Sequence, residues 1–362
     1  MEPRTVGVEE ELLLVDPQEG TPRAVSGAVL RHCDEAHDSL SAEMQQQQVE
    51  TDTRPCATLD ELSAELRRRR TIAVEAARSE GVEVAALATS PLRAEPMTTP
   101  QPRYRRMVEE FGLTAHEQLT CGCHVHVAIS SRDEGVGVLD RIRPWLPVLL
   151  ALSANSPFWQ SGDSGFESYR SQVWGRWPSA GPTGEFGSTG GYDRVLADLL
   201  DSGTLLDEGM VYFDARLSAH QPTVEIRLAD VCLRTDDAVL LAALARALVE
   251  TAALDWAAGK APQHVRTELL RVASWRAGRS GLESRLVHPR TGLPVPAADA
   301  VAALVDHVTP VLDAGGDLDT VEDLVAAVLH RGTGARTQRE VFRRSGRLPD
   351  VVADAVARTV SS

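Results

Sequence analysis

The sequence predicts an α+β fold: a sheet lying mainly within residues 5–235, with one polar working face, and a helical remainder over 236–362 packed against it. Three observations lead there. Strand-like and helix-like periods alternate irregularly up to residue 235, helical spacing alone continues beyond Asp236, and four strand segments carry polar side chains on one face and apolar ones on the other. No linker interrupts the chain, so residues 1–362 read as a single domain.

Thr5 to Val15 alternates as a strand and stops at the turn Asp16-Pro17-Gln18-Glu19-Gly20. A short helix is expected near Val29–His37, then a strand over Glu43–Thr53 that includes the tract Gln45-Gln46-Gln47-Gln48. Asp60–Gly81 has the apolar spacing, charged flank and terminal glycine of an amphipathic helix, and its run Arg67-Arg68-Arg69-Arg70 reads as a solvated face. Val82–Thr89 follows as a strand, Tyr104–Glu117 as a helix, Leu119–Ser130 as a strand and Leu139–Ala154 as one long apolar helix. Pro157–Tyr192 has no period and is rich in Gly, Ser, Pro and Trp, so a lid or substrate loop is expected there. Val211–Leu217 and Thr223–Asp230 form a hairpin across Ser218-Ala219-His220-Gln221-Pro222.

A chain of 362 residues can bury a large core without disulfides or a structural metal. Its longest apolar runs fall short of a membrane span, and Met1-Glu2-Pro3-Arg4-Thr5 lacks the basic and apolar regions of a signal peptide, so the expected location is cytoplasmic. A net charge of -15 argues against nonspecific nucleic-acid binding. Five scattered cysteines suit reduced thiols better than a disulfide framework.

Residues of equal parity on a strand face the same way. In Gly7-Val8-Glu9-Glu10-Glu11-Leu12, Glu9 and Glu11 therefore share a face, and in Gln46-Gln47-Gln48-Val49-Glu50-Thr51-Asp52 so do Gln46, Gln48, Glu50 and Asp52. An exposed edge strand would give the same pattern; so would neighbouring strands assembling the oxygen ligands that a hard cation such as Mg²⁺ requires. In Cys121-Gly122-Cys123-His124-Val125-His126 the two histidines share a face opposite the cysteines, which disfavours a Cys/His zinc site and leaves open a two-histidine site completed by carboxylates. Thr223, Glu225 and Arg227 share the face opposite Val224, Ile226 and Leu228, as a cross-strand ion pair or as a carboxylate and guanidinium for phosphoryl chemistry. Glycine-rich phosphate loops, dinucleotide fingerprints and nucleophile elbows are absent from the sequence.

In this order the motifs Gly7–Leu12, Glu50-Thr51-Asp52, Gly122–His126, Tyr169-Arg170-Ser171-Gln172-Val173-Trp174 and Thr223–Arg227 resemble those of the glutamate–cysteine ligase type 2, or carboxylate–amine ligase, family. The resemblance spans about residues 5–260. It implies a curved antiparallel sheet of the glutamine synthetase/guanido kinase-like kind, wrapped around ATP, with Mg²⁺ ions between the triphosphate and sheet carboxylates. By the same resemblance Glu9, Glu11, Glu50, Glu225 and His124 are the expected metal ligands. Arg227, Glu225 and His124 are the expected catalytic residues, Arg227 and Arg170 contact ATP phosphate, and Arg170, His126 and Thr51 bind substrate.

The implied reaction activates a carboxylate, glutamate or a similar acid, as an acyl phosphate and joins it to an amine such as cysteine. Its partners would be these small molecules, with no nucleic acid or membrane, and the default assembly is a homodimer. Competing readings are phosphotransfer to a guanidino or carboxylate acceptor, a zinc hydrolase built on His124 and His126, and a binding protein without catalysis.

Overall fold

The computed structural model describes residues 3–32 and 40–360. Period-two alternation makes the strands β1 (Val6–Val15), β2 (Leu40–Ala42), β3 (Gln48–Asp52), β4 (Glu83–Ala85), β5 (Gly122–Ala128), β6 (Phe158–Trp159), β7 (Gly162–Asp163), β8 (Ala215–Leu217), β9 (Thr223–Asp230), β10 (Arg285–Val287) and β11 (Pro294–Pro296). Among the described residues, seven of them form one antiparallel sheet in the order β2-β3-β1-β5-β9-β8, with β4 also on β1. Pairs β6–β7 and β10–β11 are separate ribbons.

Register decides what meets across this sheet. Glu11 lies opposite Glu50, Glu9 opposite His124, His126 opposite Glu225, and Glu225 opposite Arg216. The polar parities of the separate strands are thereby aligned on one face. On the other, Val6, Val8, Val125, Val127, Val224 and Ile226 are buried in the main core. Each such side chain contributes about 1.5–3 kcal/mol as an upper estimate.

The helices are α1 (Ser26–Val29), α2 (Leu59–Ser79), α3 (Pro102–Phe111), α4 (Leu113–His116), α5 (Arg132–Ile142), α6 (Leu146–Ser153), α7 (Arg170–Trp174), α8 (Thr189–Asp201), α9 (Thr235–Ala257), α10 (Thr267–Ser280), α11 (Ala297–Gly315), α12 (Leu318–Arg331), α13 (Gly334–Ser345) and α14 (Leu348–Thr359). A capping box between Thr58 and Glu61 starts α2, and the Ser131 side chain caps α5. Helix α9 is apolar on nearly every side because it runs through the middle of the core, against α2, α5, α6, α11 and α12.

Several expectations change here. The helix expected over Val29–His37 is the short α1 and a 3-10 turn at Leu30–His32; its remainder falls outside the described residues. The strand expected from Glu43 begins only at Gln48, because the side chains of Gln45, Gln46 and Gln47 bond to backbone carbonyls of Ala115, Thr98 and Glu95. The helix expected over Leu139–Ala154 is two helices: Pro147 has no N–H to donate and its ring opposes an unbroken turn, so α6 starts afresh with proline in its first turn. The segment Pro157–Tyr192 is less irregular than expected, holding β6, β7, α7 and the start of α8. Beyond Asp236 the ribbon β10–β11 interrupts the helices.

The arginine run is a further correction. Arg70 is fully buried: Nε and Nη2 bond Glu10 at 2.8 and 2.5 Å, and the guanidinium also donates to the carbonyls of Cys232 and Thr359. Glu10, on the opposite face of β1 from Glu9 and Glu11, supplies the counter-charge that makes this burial tolerable.

Candidate active site

The aligned polar face opens into a cavity of about 760 Å³. Glu9 and Glu11 of β1, Glu50 of β3, His124 and His126 of β5, and Glu225 and Arg227 of β9 form its floor, joined by Arg216 of β8. Arg103 and Tyr104 of α3, the Asp207–Gly209 turn, and an aromatic wall of Trp174, Trp177 and Tyr212 close around it.

Glu9 sits between the two imidazoles, 3.1 Å from His124 Nδ1 and 3.0 Å from His126 Nε2. Thr223 Oγ1 lies 3.0 Å from His126 Nδ1 and fixes that ring from behind. Glu11 accepts the Gly122 N–H at 2.5 Å, and Glu50 accepts the Ser41 hydroxyl at 3.0 Å. Glu225 is gripped by Arg216 Nε at 2.7 Å and Nη2 at 3.2 Å, and by Arg227 Nη1 on its other side. Two ligand groups result, Glu9 with His124 and Glu225, and Glu11 with Glu50 and His124; within each, the candidate ligand atoms lie within 4.8 Å of one another. His124 belongs to both, and its Nε2 is buried without a hydrogen-bond partner.

These carboxylates do not share one electrostatic state. Burial alone would raise Glu9, but hydrogen bonds and charge from His124 and His126 outweigh it and hold the carboxyl far below its ordinary range. Burial likewise opposes ionisation of Glu225, yet Arg227 and Arg216 bring it down to about 2. The reverse holds at the β2–β3 side, where burial and then the charge of Glu11 push Glu43 up to about 7. Burial, with Glu43, Glu9 and Glu11 around it, raises Glu50 well above its ordinary value. Burial, and then the Arg227 charge, lower His124 from its ordinary value. On the β2–β3 side the repulsion among neighbouring carboxylates adds to burial, and a cation held between them would relieve that repulsion.

The geometry brings together all five expected metal ligands, with Arg227 and His126 beside them. It leaves out two expected substrate residues. Thr51 is buried and sits across from Glu10, on the opposite parity to Glu50, so its hydroxyl does not line the cavity. Arg170 opens α7 rather than a free loop and is buried: its guanidinium donates to the carbonyls of Leu228 and Arg227, and it borders a neighbouring cavity instead. Glu43 and Arg216 escaped the sequence reading. A strand running unbroken from Glu43 would put that residue on the face opposite Glu50, and it reaches the site because residues 43–47 are not extended. Counting outward from the Ser218–Pro222 turn would have put Arg216 opposite Glu225.

The chain matches the sequence profile of the glutamate–cysteine ligase family 2 over residues 5–360. A Streptomyces avermitilis protein provisionally named glutamate–cysteine ligase 2-1 is 54% identical over 359 residues, covering 98% of this chain and 99% of that one. A Streptomyces coelicolor protein provisionally named glutamate–cysteine ligase 2 is 55% identical, with the same coverage. Among solved structures, the glutamate–cysteine ligase of Francisella tularensis in complex with AMP has a similar fold, with a TM-score of 0.71 at 14% identity over 100% of this chain and 90% of that one. A bifunctional glutathione synthetase from Pasteurella multocida gives 0.69 at 17% identity, over 99% of this chain and 52% of the other. On the profile match and these near full-length relatives, the chain belongs to the glutamate–cysteine ligase family 2.

Proposed function

We propose that the protein is an ATP- and Mg²⁺-dependent ligase that activates glutamate or a similar carboxylate as an acyl phosphate and joins it to an amine such as cysteine. The observation that carries this reading is the pair of ligand groups sharing His124, set beside the guanidiniums of Arg216 and Arg227. Carboxylate oxygens are the donors Mg²⁺ prefers, and the cavity is large enough to enclose a nucleotide. Family membership and an AMP-bound structural relative support the same reading. So does the antiparallel sheet with its single polar face, which fits a glutamine synthetase-like arrangement.

Glu9, Glu11, Glu50 and Glu225, with His124, would hold Mg²⁺, and Glu43 stands within the same cavity. Bound there, Mg²⁺ would supply charge that offsets the triphosphate. Arg227 and Arg216 would turn from Glu225 toward phosphate oxygens, which match a guanidinium fork as well as a carboxylate does. A substrate carboxylate oxygen attacks the γ-phosphorus and ADP departs. The amine nitrogen then attacks the acyl carbon, the C–O bond to phosphate breaks, and the nitrogen loses a proton to complete the amide. Residues 1–362 would act as one catalytic unit.

The zinc-hydrolase reading draws no support from the geometry: neither ligand group among the described residues contains His126, whose nitrogens face Thr223 and Glu9. Purified protein with Mg²⁺, ATP, a panel of carboxylates and a panel of amines tests the proposal by product mass. A condensed amide that appears only with all three substrates, and falls by roughly 10²-fold or more in Glu225→Ala, is the expected result. A phosphorylated acceptor without amide would point to phosphotransfer instead.

A further inference from the structure

Three arginines meet at the junction that follows β9. Arg234 immediately precedes α9, Arg331 closes α12, and Arg358 lies in the last turn of α14. Named contacts hold these segments together. Arg331 Nη2 bonds the Asp237 carboxylate in the first turn of α9, and Arg70 Nη1 donates to the carbonyls of Leu233 and Thr359 at 3.4 and 3.1 Å. A Cβ on Gly334, at the start of α13, would lie 3.0 Å from Leu233 Cβ. The acids of the junction are already held: Asp236 by Arg67 at 2.8 Å, Asp237 by Arg331, and Asp354 by Arg358 at 2.5 and 2.9 Å. Arg234, by contrast, forms no hydrogen bond or ion pair with any described residue, and its Nε is buried. Burial, then the charges of Arg358 and Arg331, lower Arg234 from its ordinary value, and the smaller pull of Asp237 and Asp354 does not offset them.

Two hydroxyls at the same junction also lack partners. Thr235, the first residue of α9, and Thr333, the residue before α13, are fully buried, and neither Oγ1 has a hydrogen bond among the described residues. No side chain caps the first turn of α9 or of α13. Buried polar groups are ordinarily satisfied, so a cluster that is not has room for a group from outside the chain. What the junction lacks is an acceptor with negative charge: a guanidinium only donates, a hydroxyl can donate, and uncapped helix starts favour anions. A tetrahedral oxyanion offers more acceptor positions than a carboxylate, which suits donors arriving from three segments. We propose that this junction binds a phosphate-type oxyanion, free or as a phosphate ester, with Arg234 as its main partner. Arg331, Arg358 and the two threonine hydroxyls supply the remaining donors. Bound there, the anion would tie the turn between α12 and α13 and the end of α14 to the segment that follows β9. None of these residues lines the carboxylate cavity, and the inference stands whether or not the ligase reading holds.

The test is titration of the full chain, without Mg²⁺ or ATP, read by calorimetry and by melting temperature at constant ionic strength. Inorganic phosphate, sulfate and glycerol 3-phosphate are the probes, and chloride is the control for general screening. Saturable binding with a rise in melting temperature is expected for the tetrahedral anions and not for chloride. Arg234→Gln should weaken it roughly tenfold or more and Arg358→Gln by less, whereas Arg227→Gln, which alters the carboxylate cavity, should leave it unchanged. Tighter binding of inorganic phosphate than of the ester would identify the free ion as the ligand, and the reverse would identify a phosphorylated metabolite; either ranking supports the site. Arg234 makes no hydrogen bond or ion pair that its variant would break, and the probe series on the unaltered protein depends on no variant. Binding that survives Arg234→Gln, that disappears in Arg227→Gln, or that is absent for every tetrahedral anion would overturn the assignment.

Discussion

Glu43 and Glu50 are acids held above their ordinary range in a folded protein, and that has a sign. Such a group favours the fold while it is protonated, so its contribution is complete below its ordinary value of 4.5 and is lost as pH rises through about 7 for Glu43. Glu9 and Glu225 work oppositely, and their contribution disappears only in strong acid. The melting temperature without Mg²⁺ should therefore decline between about pH 5 and 8, Glu43→Gln should flatten the decline, and Mg²⁺ should offset it by taking the proton's place. A flat profile in metal-free buffer would contradict the assignment. The buried pair Glu10–Arg70 gives a second expectation at this scale. Arg70→Met should cost about 3–5 kcal/mol in urea unfolding, and adding Glu10→Leu should recover much of it, since the loss comes from an uncompensated buried charge.

At the scale of elements, β5 shows how tightly the strands are fitted to the site. A Cβ on Gly122 would lie 2.3 Å from Arg170 Nη2 and 3.0 Å from His124 Nε2. Gly122→Ala should therefore displace two buried side chains at once, at a cost of about 1–3 kcal/mol, and weaken Mg²⁺ binding measured by calorimetry. Unchanged binding would mean that the imidazole has room the geometry does not show. Period two made β1, β5 and β9 legible from sequence, and with them Glu9, Glu11, His124, Glu225 and Arg227, because both faces of those strands are specified by burial. Glu50 was legible for the same reason, although β3 is shorter than its pattern suggested. Periodicity is silent where side chains replace the ladder, as along Gln45–Gln47, and so Glu43 was not singled out. Arg70 was missed because helical spacing alone cannot reveal that a carboxylate 60 residues away faces it.

Across the whole molecule, the C-terminal helices are built into the sheet. Thr359 of α14 accepts the Ala86 N–H through its hydroxyl at 3.0 Å and the Arg70 guanidinium through its carbonyl at 3.1 Å. Gln338 of α13 donates to Asn155, whose side chain donates in turn to the carbonyls of Ala86 and Val231. Removing residues 348–362 should strip the cover from β4, leave Arg70 short of an acceptor, and make the remaining chain sensitive to limited proteolysis within the sheet. A truncated chain that resists protease as the intact one does would argue against one catalytic unit. The even spread of the C-terminal helices in sequence hid this closure, since no pattern within α14 announces which strand it will cover.

The three neighbouring glutamates of β1 also lead to a forecast in cells. Glu9 and Glu11 face the cavity while Glu10 lies buried against Arg70. In a mutational scan that counts protein abundance and growth phenotype separately, identical changes at consecutive codons should then diverge. Substitutions at Glu10 should deplete the protein itself, whereas those at Glu9 and Glu11 should leave normal amounts of an inert one, so a tract of three like letters would score as two different kinds of lesion.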